Sequence, residues 1–238
     1  MIKFKNGHLL FTPSGHLATT CGTKIDVLFL MDTTGSMGDV IAGAENAFIQ
    51  IMSALQDTFG SGLRFALAGY KDCDPTDPPL MIRAFTADAS VVEGAILGLA
   101  AEGGFLDEEG QFKAFVLLSQ NWLTTSGVMA FAGRADAHKI VIWCGDYYGW
   151  RTADYNFTTA IAALNAQVIT VYALNCKVAN DGIDYITYNY DERPPVYRPQ
   201  AQTICSATGG LVFSQGSCRG SSWPGAAQAI VSDILSSL

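Results

Sequence analysis

Three oxygen-bearing side chains occupy alternate positions directly after an apolar run of the sequence. They are Asp32, Thr34 and Ser36, and the run before them is Ile25–Met31. One carboxylate and two hydroxyls are hard ligands of low total charge, which suit Mg²⁺ or Mn²⁺. Hydroxyls in front of a helix also serve as its cap. The pattern alone therefore leaves two interpretations open, a cation site and a helix cap.

A second acidic position follows another apolar run. Lys139–Cys144 is rich in β-branched residues and leads into Gly145 and Asp146. From Lys24 onward, strand patterns alternate with helical ones, which predicts a mainly parallel sheet covered by helices on both faces. Ligands of such sheets bind beyond the carboxyl ends of the strands. We therefore expect Asp146 and the 32–36 cluster at the same edge of the sheet.

Hydrophobic periodicity predicts the individual elements. The strands are Ile25–Met31, Leu63–Tyr70, Met81–Phe85 (short, antiparallel, at an edge), Lys139–Cys144, Val168–Leu174 and Gly210–Phe213. The helices are a first one carrying Val40, Ala44, Phe48, Ile51 and Leu55 on one face, then Ser90–Ala101, Glu108–Asn121, Thr158–Asn165, Gln200–Ala207 and Pro224–Leu235.

Two segments do not fit the alternation. Residues 8–20 predict a β-hairpin around a Pro13-Ser14-Gly15 turn, so residues 1–23 are assigned to an N-terminal appendage and 24–238 to one domain. Residues 175–199 are rich in Tyr, Asp and Pro without clear periodicity, which predicts a long loop. Loops of that length are usually functional or mobile.

Composition limits the classes of function. With 238 residues, 49% of them apolar, the chain can form the core of one domain, and a net charge of −8 argues against a nucleic-acid-binding face. There is no apolar run of about eighteen residues for membrane insertion and no secretory signal, which predicts a protein that is cytoplasmic at synthesis. Export without a signal peptide and incorporation into a particle remain open.

The six cysteines form no CxxC pair, which argues against a zinc site. Cys144 lies in an apolar run and is expected to be a small buried residue. Cys176, Cys205 and Cys218 would be able to pair in an oxidising compartment, but thiols are the safer expectation. The three histidines are scattered and make a weak metal site.

The stretch Ile25–Met37 resembles the first part of the metal-ion-dependent adhesion site of the von Willebrand factor A family, whose pattern is Asp-x-Ser-x-Ser. Thr34 replaces the first Ser and keeps the hydroxyl. Ile140–Asp146 resembles the later strand that ends in another metal-site aspartate, and Thr208–Phe213 resembles a Thr-Gly-Gly strand near the domain's end. The order and intervals fit across residues 24–238.

This resemblance implies an α/β Rossmann-like fold and a bound Mg²⁺, or Mn²⁺ or Ca²⁺. Asp32, Thr34 and Ser36 would ligate the ion, with Asp146 acting directly or through water. The ion would keep one vacant position for an Asp or Glu carboxylate of a protein partner, so the resemblance implies binding, adhesion or assembly and no catalysis.

Two further segments extend the resemblance. Gly103–Ala114 is similar to the acidic loop of integrin-β-like and some bacterial members, which implies that Glu109, or else Asp107, completes the metal site. Glu108 is expected to favour the N-terminus of the next helix. Arg64–Asp72 resembles the second strand of bacterial members. Asp72 and Asp74 would line the site or bind a second cation, but we expect both to lie in a solvated turn.

The aromatic residues after Asp146 are a candidate contact surface. Tyr147, Tyr148 and Trp150 would rim the cleft, since Tyr and Trp are favoured interface anchors. Packing within the core is an alternative of similar weight.

Two other functions are compatible with parts of the pattern. A haloacid-dehalogenase-like phosphatase also uses an Asp after its first strand, Mg²⁺ and a late Gly-Asp. It needs a second acid where Thr34 stands, however, and usually another where Trp150 stands. The third hypothesis is a structural subunit of a larger particle or envelope assembly, with a vestigial cleft.

Overall fold

The computed structural model describes residues 3–5, 8–10, 23–72, 79–104, 109–149, 151–177, 179–189, 196–214 and 225–238. The strands are β1 (Lys3–Lys5), β2 (His8–Leu10), β3 (Ile25–Asp32), β4 (Leu63–Tyr70), β5 (Leu80–Thr86), β6 (His138–Gly145), β7 (Ile169–Asn175), β8 (Ile186–Asn189), β9 (Val196–Pro199) and β10 (Val212–Ser214). The α-helices are α1 (Ile41–Phe59), α2 (Ala89–Ile96), α3 (Gln111–Asn121), α4 (Phe157–Ala166), α5 (Gln200–Thr208) and α6 (Ala226–Ser237).

Six strands form the central sheet, in the order β10-β7-β6-β3-β4-β5. All neighbouring pairs run parallel except β4 and β5, whose antiparallel pairing contains register shifts. The predicted α/β Rossmann-like fold, with one short antiparallel edge strand, is therefore confirmed. The predicted strands of this sheet agree with the observed ones within two residues, the usual uncertainty of element ends.

The central strand β3 is buried on both faces, so it has no polar face for solvent. Because side chains alternate along a strand, Val27 and Phe29 point into one core, and Leu28 and Leu30 point into the core on the other face of the sheet. Odd positions face the core under α1, α2 and α6, and even positions face the core under α3, α4 and α5. Helix α1 buries Phe48, Ile51 and Leu55, as its period predicts.

Helix α2 ends earlier than predicted, at Ile96 and not Ala101. Asp88 caps its N-terminus by accepting from the Ser90 amide at 3.1 Å. The residues after it leave the helix and pair with the loop after β3, where Glu102 N donates to Thr33 O at 3.0 Å and Gly35 N donates to Gly103 O at 2.8 Å. Tertiary hydrogen bonds replace the helical ones that the periodicity predicted.

The described residues of the segment 175–199 contain regular structure that the predicted long loop lacks. They include a 3-10 turn at Gly182–Asp184 and the antiparallel pair β8 and β9, which forms a two-stranded sheet. The period-2 pattern of these residues is too weak to predict this hairpin, because such short strands contain few alternations.

An N-terminal β-hairpin is present, and its described strands are β1 and β2. Strand β2 pairs with β1, which precedes it, whereas the predicted Pro13-Ser14-Gly15 turn lies outside the described residues.

Cys144, Cys176 and Cys205 are buried thiols, as expected, and the sulfurs of Cys144 and Cys176 lie 3.5 Å apart; Cys218 lies outside the described residues. Within the part of the chain that the structure describes, no helix is both long and apolar enough to cross a membrane.

Candidate functional site

The loop after β3 and the end of β6 are joined by a chain of side-chain hydrogen bonds. The Thr34 hydroxyl donates to Asp32 Oδ1 at 2.7 Å, and the Ser36 hydroxyl donates to Asp146 Oδ1 at 2.9 Å. The two hydroxyl oxygens lie 3.0 Å from each other. The structure therefore brings together all four residues that the sequence proposed from these two segments, Asp32, Thr34, Ser36 and Asp146.

The helix-cap interpretation of these hydroxyls finds no support in the geometry. Thr34 precedes a 3-10 turn at Gly35–Asp39, but its side chain makes no capping hydrogen bond there. Helix α1 begins only at Ile41, and its N-cap residue Val40 has no side-chain cap either. Both hydroxyls point instead toward carboxylates, an arrangement that is compatible with a cation site.

The number of protons in this cluster is too small for the number of acceptors. Each hydroxyl carries one proton. When Thr34 donates to Asp32 and Ser36 donates to Asp146, no proton remains for the 3.0 Å contact between the hydroxyls themselves. Asp32 Oδ2 is buried and has no hydrogen-bond partner among the residues that the structure describes. An added proton, or a cation bound by these oxygens, would offset the repulsion between their lone pairs.

Glu109 approaches the cluster from a third segment. Its backbone amide donates to Tyr148 O at 2.9 Å, and Gly110 N donates to Lys71 O, so the chain before α3 is held between β4 and the loop after β6. Glu109 is almost fully buried, and within the described part of the chain its Oε2 has no hydrogen-bond partner. Asp107, the second choice, lies outside the described residues, as does Glu108.

Burial and mutual repulsion raise the pKa values of the two central acids. Burial raises the pKa of Asp32 to about 7, against hydrogen bonds from Thr34 that lower it, and the charge of Asp146 raises it further. Burial raises the pKa of Glu109 to about 9, and the charges of Asp32 and Asp72 add to this effect. The charged forms of both acids are therefore poorly stabilised by the protein itself.

Asp72 does not lie in a solvated turn, as expected from the sequence, but is almost fully buried. It forms an isolated antiparallel bridge with Glu109, and its charge is one of those that raise the pKa of Glu109. The prediction was wrong because the burial of this residue depends on the segment before α3, which covers it only in the folded chain. Asp74 lies outside the described residues.

Two glycines allow the loops to approach this closely. A Cβ at Gly145 would lie 2.4 Å from the Tyr70 hydroxyl oxygen and 3.2 Å from Asp32 Oδ2. Gly104 has φ +74°, and a Cβ there would lie 2.8 Å from Thr34 Cγ2. Side chains at either position would separate the segments that carry the acids.

Tyr147 and Tyr148 follow Asp146 and are half-buried, which fits a rim more closely than the core. Their rings stack on each other with centroids 4.8 Å apart, and Tyr148 stacks on the exposed Tyr185 at 4.9 Å. Buried Gln200 fixes this loop by accepting from Gly149 N at 2.7 Å. Trp150 lies outside the described residues.

Sequence reasoning missed Tyr185 and Lys177. The Lys177 ammonium lies 3.6 Å from Asp146 Oδ2. Lys177 follows the end of β7 as Asp146 follows the end of β6, so applying the strand-end rule to β7 would have identified it.

The fold is of the von Willebrand factor type A kind. The chain is similar to a von Willebrand factor type A structure from Catenulispora acidiphila, with 16% identity, a TM-score of 0.57, and coverage of 82% of this chain and 39% of that one. It is also similar to proximal thread matrix protein 1 from the mussel byssus, with 13% identity, a TM-score of 0.64, and coverage of 89% of this chain and 47% of that one.

A second crystal form of the mussel protein gives the same TM-score and identity, with 48% of that chain covered. This chain thus spans less than half of the length of each of these solved chains. No family model and no curated protein matches the sequence. At such low identities the similarity shows the fold alone.

Proposed function

We propose that this chain binds a protein partner through a divalent cation held by the cluster of Asp32, Thr34, Ser36, Glu109 and Asp146. The observation that carries the proposal is the proton deficit in the cluster, together with the buried oxygens Asp32 Oδ2 and Glu109 Oε2, which lack hydrogen-bond partners among the described residues. Buried polar atoms are otherwise almost always paired, and unpaired ones call for an explanation. A cation would supply it.

The donor set suits a hard ion. Among the described residues, no three acidic, histidine or cysteine side chains converge closely enough to form a metal site by themselves. The hydroxyls of Thr34 and Ser36 lie between the carboxyl groups, so the proposed ligand set combines both types. Mg²⁺ and Mn²⁺ accept such oxygen sets and keep water ligands, and Ca²⁺ is a third candidate. Asp107 remains a candidate ligand.

The partner would supply an Asp or Glu carboxylate. A cation that keeps an exchangeable water position attracts a carboxylate, because the ion is the largest local positive charge. Tyr147 and Tyr148 would add contact area beside it, with Trp150 as a further candidate. The position of Glu109 supports the comparison with integrin-β-like and bacterial members of the family.

A cation titration tests this proposal. Isothermal titration of Mg²⁺, Mn²⁺ and Ca²⁺ should give one site in the wild type and an affinity at least about tenfold weaker in Asp32→Ala. Asp57→Ala is the matched control, because Asp57 is exposed on α1, outside the cluster, and should leave the affinity unchanged. Equal affinities for the wild type and Asp32→Ala would overturn the proposal.

A structural subunit of a larger assembly is a second candidate function. The similarity to a mussel byssus matrix protein favours it, although that similarity concerns the fold. The two functions differ in one respect, since an assembly role with a vestigial cleft would be insensitive to chelation. Adding EDTA to the assembled or partner-bound protein would therefore distinguish them.

We also propose that the chain is not an enzyme. A haloacid-dehalogenase-like phosphatase would need an acid two residues after Asp32 to protonate the leaving group, and Thr34 occupies that position. Mg²⁺-dependent hydrolysis of a phosphate ester, lost in Asp32→Asn, would favour the phosphatase instead.

A further inference from the structure

Lys177 brings a positive charge to the Asp146 side of the acidic cluster. Its ammonium nitrogen lies 3.6 Å from Asp146 Oδ2, which is longer than a hydrogen bond. The Lys177 side chain is 42% exposed and that of Asp146 only 3% exposed. The ammonium group therefore lies on the solvent side of the cluster, and the acid on the inner side.

The position of Lys177 is fixed by its surroundings. Its backbone amide donates to Asn175 Oδ1 at 3.2 Å, and the Asn175 amide group donates to Asp181 O and Ser214 Oγ. Gly182 lies against the lysine stem with φ +62°, so close that a Cβ there would lie 2.7 Å from Lys177 Cγ. These contacts hold the backbone and the inner part of the stem, so part of the entropy that ordering a lysine costs is already lost on folding.

The charge of the cluster explains why such a group is needed. Asp32, Asp146 and Glu109 bring up to three negative charges to the proposed ion, and Asp72 lies beside Glu109. One divalent cation offsets only two of these charges. A partner's carboxylate would then meet a field that is still negative unless a further positive charge faces it. Lys177 lies where it can provide that charge.

We propose that Lys177 determines specificity for acidic partners: it binds one oxygen of the partner's carboxylate while the cation binds the other. This inference rests on the proposed function. It carries a consequence that a merely structural role would not have. In the absence of a partner, the ammonium repels the cation, so Lys177 weakens cation binding and strengthens carboxylate binding.

The test uses Lys177→Gln, with Lys177→Arg as the conservative variant and Lys24→Gln as the matched control. Lys24 pairs with the exposed Asp136 and is hydrogen-bonded through its carbonyl to His138, at the opposite end of β6 from Asp146. Isothermal titration with Mn²⁺ should show affinity about two- to fivefold tighter in Lys177→Gln, the effect of one half-exposed charge. Lys177→Arg and Lys24→Gln should match the wild type.

Acetate then serves as the carboxylate probe for the Mn²⁺-loaded proteins. Acetate that displaces a water from Mn²⁺ lowers the water-proton relaxation rate, measured at constant ionic strength with chloride as the balancing anion. The apparent acetate affinity should be about two- to fivefold weaker in Lys177→Gln than in the wild type. Lys177→Arg should retain most of the wild-type affinity for acetate.

The outcomes separate the inference from the proposed function. If the wild type binds no divalent cation, the proposed function fails and the inference fails with it. If it binds Mn²⁺ but Lys177→Gln binds acetate as the wild type does, only the inference fails. A Lys177→Gln variant that is weaker toward both Mn²⁺ and acetate would show that the lysine merely supports the loop, which also overturns the inference.

Discussion

The two ends of strand β3 carry two fully buried aspartates whose carboxylates have opposite electrostatic surroundings. Asp26, near the amino end, is paired with Arg64 at 2.7 Å and Arg134 at 2.7 Å. It also accepts from the Arg134 backbone amide at 2.6 Å. Asp32, at the carboxyl end, accepts from the Thr34 amide at 3.0 Å and from the Thr34 hydroxyl at 2.7 Å, and among the described residues its Oδ2 has no hydrogen-bond partner.

This difference separates an acid that stabilises the fold from one that is available for function. The charge of Asp26 is neutralised by side chains of the same protein, as buried charges normally are. The charge of Asp32 adjoins those of Asp146 and Glu109, and Lys177 lies near Asp146 on the solvent side. Groups kept in such unfavourable surroundings tend to belong to functional sites.

The largest predicted effect tests the stabilising end of the strand. Asp26→Ala leaves two partly buried guanidinium groups without their acid, and breaking such a pair should lower the free energy of unfolding by about 3 kcal/mol. Urea denaturation would measure this loss. A loss below about 1 kcal/mol would remove the contrast between the two aspartates.

The next effect is a pH dependence at the opposite end. The folded pKa values of Asp32 and Glu109, about 7 and about 9, lie above the unfolded values near 4, so the folded protein binds more protons. The stability that protonation gives is complete below pH 4 and lost as the pH rises through 7 and 9. Between pH 5 and 8 the melting temperature of the metal-free protein should therefore fall as these two groups ionise.

The control for this pH dependence is the double variant Asp32→Asn with Glu109→Gln, which should have a flatter profile. Saturating Mg²⁺ at pH 8 should restore much of the stability of the wild type and none in the double variant, because ligand binding to the folded state raises its stability. A wild-type profile as flat as that of the double variant would contradict the assigned direction.

Asp32→Asn should have the opposite sign to Asp26→Ala. In metal-free protein at pH 8 it removes a buried charge with an unpaired oxygen, and it should raise the free energy of unfolding by about 1 kcal/mol. The same change should abolish cation binding. Chemical denaturation at pH 8 with EDTA measures the first effect, and a decrease in stability would argue that Asp32 is compensated after all.

The smallest predicted effect concerns the aromatic rim. Tyr148→Ala removes both ring stacks and should lower the free energy of unfolding by about 1 kcal/mol. Tyr185→Ala removes one ring stack and should lower it by about half as much. Denaturant midpoints of the two variants give the comparison. If either tyrosine also contacts a partner, its variant should lower the partner affinity by more than it lowers the stability of the fold. Unchanged partner binding in Tyr148→Ala would show that Tyr148 does not contact the partner.

Much of the fold was predictable, because hydrophobic periodicity reports directly on which faces are buried. The strand from Ile25 and the helix face with Phe48, Ile51 and Leu55 are examples. The end of α2 and the β8–β9 hairpin were missed, since the first depends on hydrogen bonds to Thr33 and Gly35 and the second on strands too short to show a period.

The sequence by itself determined which oxygen donors stand at the ends of β3 and β6, because strand ends follow from local patterns. Only the tertiary structure decided how these donors are compensated. The burial of Asp72, the inward carboxyl of Glu109 and the approach of Lys177 to Asp146 all arise where segments distant along the chain meet. Electrostatic compensation depends on distances between such segments, and no local pattern in a single sequence encodes those distances.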